Sequence, residues 1–257
     1  GRRGGTLMPR FGTLDVNQFA AAPEIDGYAT EPLSLKNAQV LNVTSEISAI
    51  GSDALLPPSM NPSIPPYIQC TVMVCPESPW GAFTTGELRI VGRAGFRPRA
   101  ITYKTYIDNP QAGSELSRRW GFPVTPGKTH LSLRHERIVV EINDAKGRRV
   151  LDAEMIDREG ISGSDIQYVA SMHLARNRAE GKLVLVQVDP DYVFSKVERG
   201  HSHFMEIDQE AWGTKGLIKP TNPIISTYAQ CEVMLPKIRF ICDTNENALL
   251  STVKVGG

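Results

Sequence analysis

Residues 106–125 read YIDNPQAGSELSRRWGFPVT and contain one short helix with clear ends. Asn109 is a favoured N-cap residue, Pro110 fits the first helical position, and Gly121 follows the last turn. The residues before this helix, 100–107, and those from His130 onward are rich in β-branched and aromatic side chains. The pattern therefore predicts a single helix over residues 109–120, set between strands. An isolated helix among many strands is typical of a closed or strongly curved sheet.

Strand patterns continue through most of the chain. We expect strands at residues 67–75, 86–91, 100–107, 130–142, 149–156, 182–188, 202–207, 225–235 and 238–242. Residues 143–147 read NDAKG, which is typical of a hairpin connection. Apolar residues recur at helical spacing over residues 45–56, so we expect a short helix there that ends before Pro57. Residues 167–179 fit a helical stripe and an alternating strand equally well.

The composition limits the classes of function. The 257 residues carry 28 Lys and Arg against 28 Asp and Glu, so the formal charge is zero and we expect no nucleic-acid partner. No apolar run approaches the roughly 20 residues of a membrane-spanning helix, so we expect no membrane partner. Four cysteines without a CxxC pair are too few for a disulfide scaffold, and we expect them to be reduced and mostly buried. The first residues lack the apolar segment of a secretory signal, so we expect a cytoplasmic protein.

One domain is expected to hold most of the chain. Residues 1–35 mix Gly, Pro and Ala without a sustained period, which indicates an extended N-terminal arm. The domain is expected over residues 36–243, and residues 244–257 are expected to form a C-terminal tail.

Two groups of histidines could carry chemistry, but neither completes a known site. His201 and His203 lie two positions apart on an expected strand and so share a face, a spacing that can chelate zinc. His130 and Glu136 share a face of the expected strand 130–142, where a general acid–base pair is conceivable. Solvated or hydrogen-bonded side chains explain both patterns, so we expect no metal and no cofactor. The sequence also lacks GxSxG, P-loop and GxGxxG motifs.

Short motifs on both sides of the helix follow one another in a specific order. They are Pro65-Pro-Tyr67, Gly81-Ala-Phe-Thr-Thr85, Tyr106-Ile-Asp-Asn109, Trp120-Gly-Phe-Pro123, Glu210-Ala-Trp-Gly213 and Cys231-Glu-Val-Met-Leu-Pro236. In this order and spacing, residues 55–242 resemble the acetoacetate decarboxylase family. The resemblance implies a mainly antiparallel, cone-shaped β-barrel with an internal pocket and a few short flanking helices, assembled into homo-oligomers. It also implies that residues 167–175 are extended.

The resemblance includes a reactive lysine that this chain lacks at the usual position. In the family, a lysine after the Trp-Gly-Phe-Pro turn attacks a β-keto acid and forms an iminium that accepts the electrons released with carbon dioxide. Here Pro123 is followed by Val124 and Thr125, and a valine cannot form an imine. Counting back without gaps, two acidic positions of the family fall on Thr85 and Cys70. The resemblance therefore implies a site that has been re-purposed or has lost its activity.

The mapped residues are expected to converge on one internal cavity with apolar walls and a few polar groups. The members of this expected cavity are Cys70, Thr85, Tyr103, Val124 and Thr125. The candidate catalytic residues are Thr85, Thr125, Tyr103 and Lys128. The candidate substrate-binding residues are Cys70, Val124, Phe122, Trp120 and Arg118.

Three functional hypotheses follow. In the first, the chain is an enzyme that acts non-covalently on an apolar, oxygenated small molecule, such as a secondary-metabolite intermediate, by cyclisation, isomerisation or elimination. In the second, Lys128 is the Schiff-base amine of a decarboxylase or lyase, because it lies four positions beyond Val124 and a shifted loop would bring it inward. In the third, the chain is a non-catalytic small-molecule-binding or scaffold protein.

Overall fold

The structure is a computed structural model that describes residues 10–19 and 22–256. Within these residues, strands predominate, and three short α-helices interrupt them. The strands are β1 (Glu24–Ile25), β2 (Leu33–Ile47), β3 (Asn61–Cys75), β4 (Phe83–Ala94), β5 (Arg97–Ile107), β6 (Val124–Leu133), β7 (Arg137–Asp144), β8 (Arg149–Gly160), β9 (Ala170–Asn177), β10 (Lys182–Val188), β11 (Asp191–Ile207), β12 (Pro220–Pro223), β13 (Ile225–Leu235), β14 (Phe240–Cys242) and β15 (Val253–Lys254). The helices are α1 (Pro110–Trp120), α2 (Gln209–Trp212) and α3 (Ala248–Ser251).

Nine strands close into a ring. Their order is β5-β4-β3-β2-β13-β11-β8-β7-β6, and β6 returns to β5 through a short parallel pairing at Thr105–Ile107. The other ring pairings are antiparallel. A branch sheet of β9, β10, β14 and β15 leaves the ring where Arg99–Ile101 of β5 pairs with β9. The prediction of a mainly antiparallel β-barrel with a few short helices is confirmed.

Two hydrophobic clusters pack on opposite faces of the ring strands, because side chains alternate along a strand. The first lines the inside of the ring and includes Leu41, Leu88 and Leu151. The second lies outside the ring, where β2, β3 and β13 are covered by the branch sheet and by α1. The space between the ring and the branch sheet is where the polar site described below is found.

Helix α1 has the limits that the sequence predicts. The side chain of Asn109 accepts hydrogen bonds from the backbone N–H groups of Gln111 and Ala112, and Gly121 ends the helix at φ +73°. One face of α1, including Leu116 and Trp120, is buried in the second cluster. The helix therefore fixes where the chain re-enters the ring at Val124.

Two expected elements are wrong, and both errors lie at turns. The expected strand 130–142 is a hairpin of β6 and β7, whose exposed turn at residues 134–136 separates His130 from Glu136. Residues 45–56, which were expected to form a helix, are the end of β2 followed by a 3₁₀ turn at Ser52–Leu55. Gly51 lies between the two elements at φ +77°, a backbone conformation that does not continue a helix. Residues 167–179, which fitted both patterns, contain strand β9, as the resemblance implied.

The segments before β2 and after β14 lie against the barrel where they are described. Gly12 and Leu14 hydrogen-bond to the backbone of Met60 and Leu56, Val16 is buried, and β1 pairs with β9. Residues 1–9, 20, 21 and 257 of the expected arm and tail lie outside the described residues, and the division at 35 and 243 stays a prediction. None of the described helices has the length and hydropathy needed to cross a membrane.

Candidate active site

Polar side chains line the outer face of β2, β3, β4 and β5 and form one layer beneath the branch sheet. Register brings them side by side, since Gln69 pairs with both Thr44 and Arg89, and Glu87 pairs with both Thr71 and Thr105. Apart from Thr71, which is half-buried, these side chains are buried. The layer consists of Asn42, Thr44, Gln69, Thr71, Thr85, Glu87, Arg89 and Thr105, joined by Ser171 of β9.

An internal cavity of about 60 Å³ lies against this layer. At about 30 Å³ for each water in the liquid, it has room for about two water molecules. Thr85, Glu87 and Arg89 of β4 form its polar wall, and Phe122, Tyr168 and Tyr192 contribute aromatic walls. The cavity is thus small and has charged groups on one side.

Arg89 is a buried cation whose hydrogen-bond partners are all neutral. Its Nη1 donates to the carbonyl oxygen of Val169 and to Ser171 Oγ, both at 2.8 Å, and its Nη2 donates to Gln69 Oε1. Its Nε has no partner among the described residues. Burial lowers the pKa of Arg89, and the neighbouring Glu87 opposes that shift. Arg89 therefore lines the cavity and keeps one buried donor without a partner among the described residues.

Glu87 is a buried carboxyl group on the same wall. Thr105 Oγ1 donates to its Oε1 at 2.7 Å. Burial raises its pKa, while the hydrogen bond from Thr105 and the charge of Arg89 act in the opposite direction. A carboxyl group with a raised pKa is suited to general acid–base catalysis near neutral pH.

His173 supports the aromatic wall from behind. Its Nδ1 lies 2.8 Å from the carbonyl oxygen of Trp120, so Nδ1 carries the proton and donates. Its ring packs on Phe122 at a centroid distance of 4.4 Å. Complete burial lowers the pKa of His173 to about 4, so the side chain is neutral at physiological pH.

Solved structures show what this architecture is similar to. A structure of acetoacetate decarboxylase is 15% identical over 82% of this chain and 89% of its own, with a TM-score of 0.67. Acetoacetate decarboxylase from Legionella pneumophila is 17% identical over 80% and 86%, with a TM-score of 0.65. The chain has the acetoacetate decarboxylase fold. No protein-family model matches the sequence, and no curated protein is significantly similar to it.

A third structure with the acetoacetate decarboxylase fold was solved with a ligand. It is the enduracididine biosynthesis enzyme MppR complexed with pyruvate, which is 16% identical over 81% of this chain and 88% of its own, with a TM-score of 0.60. The fold that the motifs around α1 indicated is therefore confirmed.

The structure does not bring the expected cavity residues together. Thr85 and Phe122 line the internal cavity, but Cys70 and Tyr103 belong to the cluster inside the ring, and the Tyr103 hydroxyl donates to the carbonyl oxygen of Leu55 at 2.6 Å. The expectation of one shared cavity is wrong for these two residues. A one-residue error in counting moves a strand side chain to the opposite face, and the residues on the cavity side of Cys70 are its neighbours, Gln69 and Thr71.

Val124, Thr125 and Lys128 also lie away from the internal cavity. They line a separate surface pocket of about 460 Å³ beside α1, in which Lys128 is exposed and Val124 and Thr125 are half-buried. Val124 is nevertheless close to the polar layer, because Thr105 pairs with both Val124 and Glu87. The expectation that Val124 and Thr125 line the internal cavity is wrong, although Val124 lies only two strands away from Glu87, with Thr105 of β5 between them.

Trp120 and Arg118 do not line the internal cavity either. Trp120 is buried, and its Nε1 donates to the carbonyl oxygen of Pro236 at 2.8 Å. Arg118 is on the surface and forms an ion pair with Glu115 at 2.7 Å. Both residues are part of α1 and its packing in this structure.

The histidines and cysteines occupy ordinary structural positions. His203 Nδ1 lies 3.1 Å from Glu154 Oε1, and His201 Nε2 lies 3.9 Å from Asp157 Oδ2, so each histidine faces a different carboxylate. No three His, Cys, Asp or Glu side chains of the described residues are grouped as metal ligands. All four cysteines are buried and unpaired, as expected.

Sequence reasoning missed the two ionisable groups of the cavity. Glu87 and Arg89 follow Thr85 at spacings of two and four, while apolar Leu88 and Ile90 alternate with them. That alternation puts a threonine, a carboxyl group and a guanidinium on one face of a strand. The pocket was expected to be apolar with a few polar groups, whereas the structure places a buried charged pair in it.

Proposed function

We propose that the chain is an enzyme that acts on a small 2-oxo acid in the internal cavity without forming a Schiff base. Glu87 acts as the general base and acid, and Arg89 binds the anionic group of the substrate. The observation that carries the proposal is the burial of Glu87 and Arg89 on one wall of a cavity whose described lining contains no lysine.

The surroundings of Arg89 support an anionic substrate. The buried guanidinium of Arg89 donates its hydrogen bonds to neutral acceptors, so the nearby Glu87 carboxyl group offsets its positive charge without being hydrogen-bonded to it. Charge-assisted hydrogen bonds to a carboxylate are about twice as strong as neutral ones, and the planar guanidinium matches carboxylate geometry. The free Nε of Arg89 supplies a donor for such a contact.

The surroundings of Glu87 support proton transfer at carbon. The ionised carboxyl group takes a proton from the carbon beside the substrate carbonyl, and the electron pair of that C–H bond moves to the carbonyl oxygen to form an enolate. Where the enolate is conjugated with a carbon–carbon double bond, Glu87 returns the proton to the far carbon of that conjugated system, which is an isomerisation. Where the next carbon carries a leaving group, that group departs with its bonding electron pair as a carbon–carbon double bond forms, which is an elimination. Arg89 balances the charge of the enolate.

The size of the cavity and one fold neighbour support the substrate class. The cavity accommodates only a few non-hydrogen atoms, and MppR of the same fold was solved with pyruvate. Since cavity size and fold similarity indicate only a class of substrate, pyruvate is the probe compound in the experiments below and is not proposed as the natural substrate. The family's assembly into homo-oligomers stays a prediction for this chain.

Loss of the methyl proton signal of pyruvate in D2O, followed by NMR, tests the proposal. We expect wild type to accelerate this exchange and Glu87→Gln to lower the rate about 100-fold or more. Glutamine keeps the size of the side chain and can still accept from Thr105. Glu136→Gln, in the exposed turn before β7, is the matched control and should exchange pyruvate at the wild-type rate.

Borohydride reduction in the presence of pyruvate separates this mechanism from covalent catalysis. We expect no reduced adduct by mass spectrometry. Exchange that persists in a folded Glu87→Gln variant, or an adduct on any lysine, contradicts the proposal.

The surface pocket gives one specific reason to keep the second hypothesis as an outcome of this experiment. Lys128 lies there beside the apolar walls of Ile107, Pro110 and Val124. An adduct mapped to Lys128 would support Schiff-base chemistry in that pocket. A chain that neither binds pyruvate nor exchanges its protons would favour the non-catalytic hypothesis.

A further inference from the structure

We propose that Tyr168 is a further catalytic residue of the internal cavity, whose hydroxyl donates a hydrogen bond to the substrate oxygen on which negative charge develops. This inference rests on the proposed function and adds a third group to Glu87 and Arg89. The step involves no new bond to carbon: Tyr168 keeps its proton and shares it with the enolate oxygen while Glu87 holds the proton taken from carbon.

The hydroxyl of Tyr168 is buried without a hydrogen-bond partner among the described residues. Thr227 is close enough to lower the pKa of Tyr168 slightly, but no hydrogen bond of normal geometry joins the two side chains. Tyr168 lines the same cavity as Glu87 and Arg89. An unpartnered buried hydroxyl is unfavourable in the free protein, and such groups in native structures call for an explanation. A ligand oxygen in the cavity supplies the missing acceptor.

The ring of Tyr168 is held by two neighbouring aromatic side chains. Tyr192 lies edge to face against it at 4.6 Å between centroids, and Phe194 packs at 5.8 Å. Tyr192 and Phe194 are themselves stacked with an angle of 3° between their planes. A donor with a fixed direction stabilises developing charge without having to reorganise during the reaction.

The backbone next to Tyr168 is tied to the anion-binding group. Arg89 Nη1 donates to the carbonyl oxygen of Val169, the following residue. Arg89 and Tyr168 are therefore linked through Val169, and each has one buried donor without a partner among the described residues. Burial also raises the pKa of Tyr168, so the hydroxyl keeps its proton at physiological pH.

The thermal stability of the free protein is the first test, and it requires no ligand. Tyr168→Phe removes an unpartnered hydroxyl and keeps the ring, so we expect Tm to rise by about 2–4 °C. The matched control is Tyr28→Phe, because Asn177 Nδ2 donates to the Tyr28 hydroxyl at 3.0 Å. We expect Tyr28→Phe to lower Tm. A lower Tm for Tyr168→Phe would mean that its hydroxyl has a partner in the free protein, and it would overturn the inference.

Proton exchange of pyruvate in D2O is the second test. Loss of one donor to a developing oxyanion lowers a rate about 100-fold to 1000-fold, and we expect this for Tyr168→Phe. Because the ground-state carbonyl oxygen carries less charge than the enolate, the Kd of pyruvate should change less than about tenfold. Tyr28→Phe should exchange pyruvate at the wild-type rate.

The outcomes separate this inference from the proposal on which it rests. Wild-type exchange that depends on Glu87 but is unchanged in Tyr168→Phe overturns the inference and leaves the proposed function standing. Wild type without any exchange overturns the proposed function and the role of Tyr168 together. Faster unfolding of Tyr168→Phe with normal exchange identifies the residue as purely structural.

Discussion

The motif resemblance predicts that Val124 stands where the acetoacetate decarboxylase family carries its reactive lysine. Its strand neighbour is Thr105, whose hydroxyl donates to Glu87, so the three side chains follow one another across β6, β5 and β4. A lysine side chain is long enough to extend past a threonine on the adjacent strand. Residue 124 therefore controls whether an amine can reach the carboxyl wall of the cavity.

Replacing this valine should introduce covalent chemistry. We expect Val124→Lys to form a borohydride-reducible adduct with pyruvate and wild type to form none, because an amine near Glu87 and apolar neighbours loses its proton more easily. Intact-mass and peptide mass spectrometry check the result. The control is Val124→Lys combined with Lys128→Ala, which should still form the adduct. An adduct that disappears in that double variant would show that Lys128 is the reacting amine.

His173 makes stability depend on pH in a direction set by its burial. Its pKa falls from 6.5 to about 4 in the folded chain. The unfolded chain therefore binds the proton first as pH falls, and the stabilising contribution is present above pH 6.5 and is lost progressively towards pH 4. The shift corresponds to about 3 kcal/mol. We expect His173→Asn, which keeps a donor for Trp120 but does not titrate, to lose correspondingly less stability between pH 7.5 and pH 4.5.

Urea unfolding at the two pH values measures this difference. His130→Asn is the control, because His130 is exposed on β6, and its pH dependence should match that of wild type. Equal pH dependence in wild type and His173→Asn would show that the buried imidazole is not the group responsible.

At the level of single elements, local chemistry marks the ends of some helices and strands in the sequence and leaves others unmarked. Helix α1 and the strands β10 and β13 were predicted with their observed limits, because caps, glycines and β-branched runs mark their ends. The turn between β6 and β7 was missed, since Arg134, His135 and Glu136 lack the glycine or asparagine that usually signals a hairpin. Cys70 was assigned to the wrong face because a strand gives no local sign of a one-residue offset.

The N-cap of α1 connects this helix to the preceding loop. Besides capping the helix, Asn109 donates from Nδ2 to the carbonyl oxygens of Trp80 at 2.9 Å and Ala82 at 3.2 Å. We expect Asn109→Ala to lower the free energy of unfolding by about 2 kcal/mol and Asn109→Asp, which keeps the cap but not the donors, by about half as much. Urea unfolding checks both values. Equal losses in the two variants would mean that the cap itself contributes little.

At the scale of the whole molecule, the position of the cavity depends on contacts between distant parts of the chain. Arg89 of β4 meets Val169 and Ser171 about 80 residues later, and no local pattern specifies that meeting. The resemblance to the family predicted the barrel, and the alternation of polar and apolar residues along β4 was visible in the sequence. The position of the segment that covers the cavity was not visible, because residues 161–169 contain only a 3₁₀ turn at Gly163–Asp165, and packing on β11 decides where this turn lies.

We expect substrate to enter through the part of the cavity wall that is not a strand. The segment 161–169 carries Tyr168 and Val169 and is the longest irregular part of the lining. A Cβ atom at Gly163 would lie 3.2 Å from the Cβ of Phe194, close to the separation of about 3.5–4.5 Å found in disulfides. We expect the oxidised double variant Gly163→Cys, Phe194→Cys to lose pyruvate exchange and a reductant to restore it. The two single variants are the controls. Equal exchange in the oxidised and reduced forms would place the entrance elsewhere.

The nine-stranded ring and the branch sheet differ in how many strand pairings hold them in place. Closure through β6 leaves the ring with hydrogen-bonded neighbours on both sides of every strand, whereas β9 joins it through three residue pairs of β5. Local opening of a native protein begins where fewest contacts must break, so the branch sheet should separate before the ring unfolds. Arg89 holds the two together through Val169 and Ser171. A molecule bound between them adds contacts between the branch sheet and the ring. We therefore expect occupancy of the cavity to raise the free energy needed to separate the two.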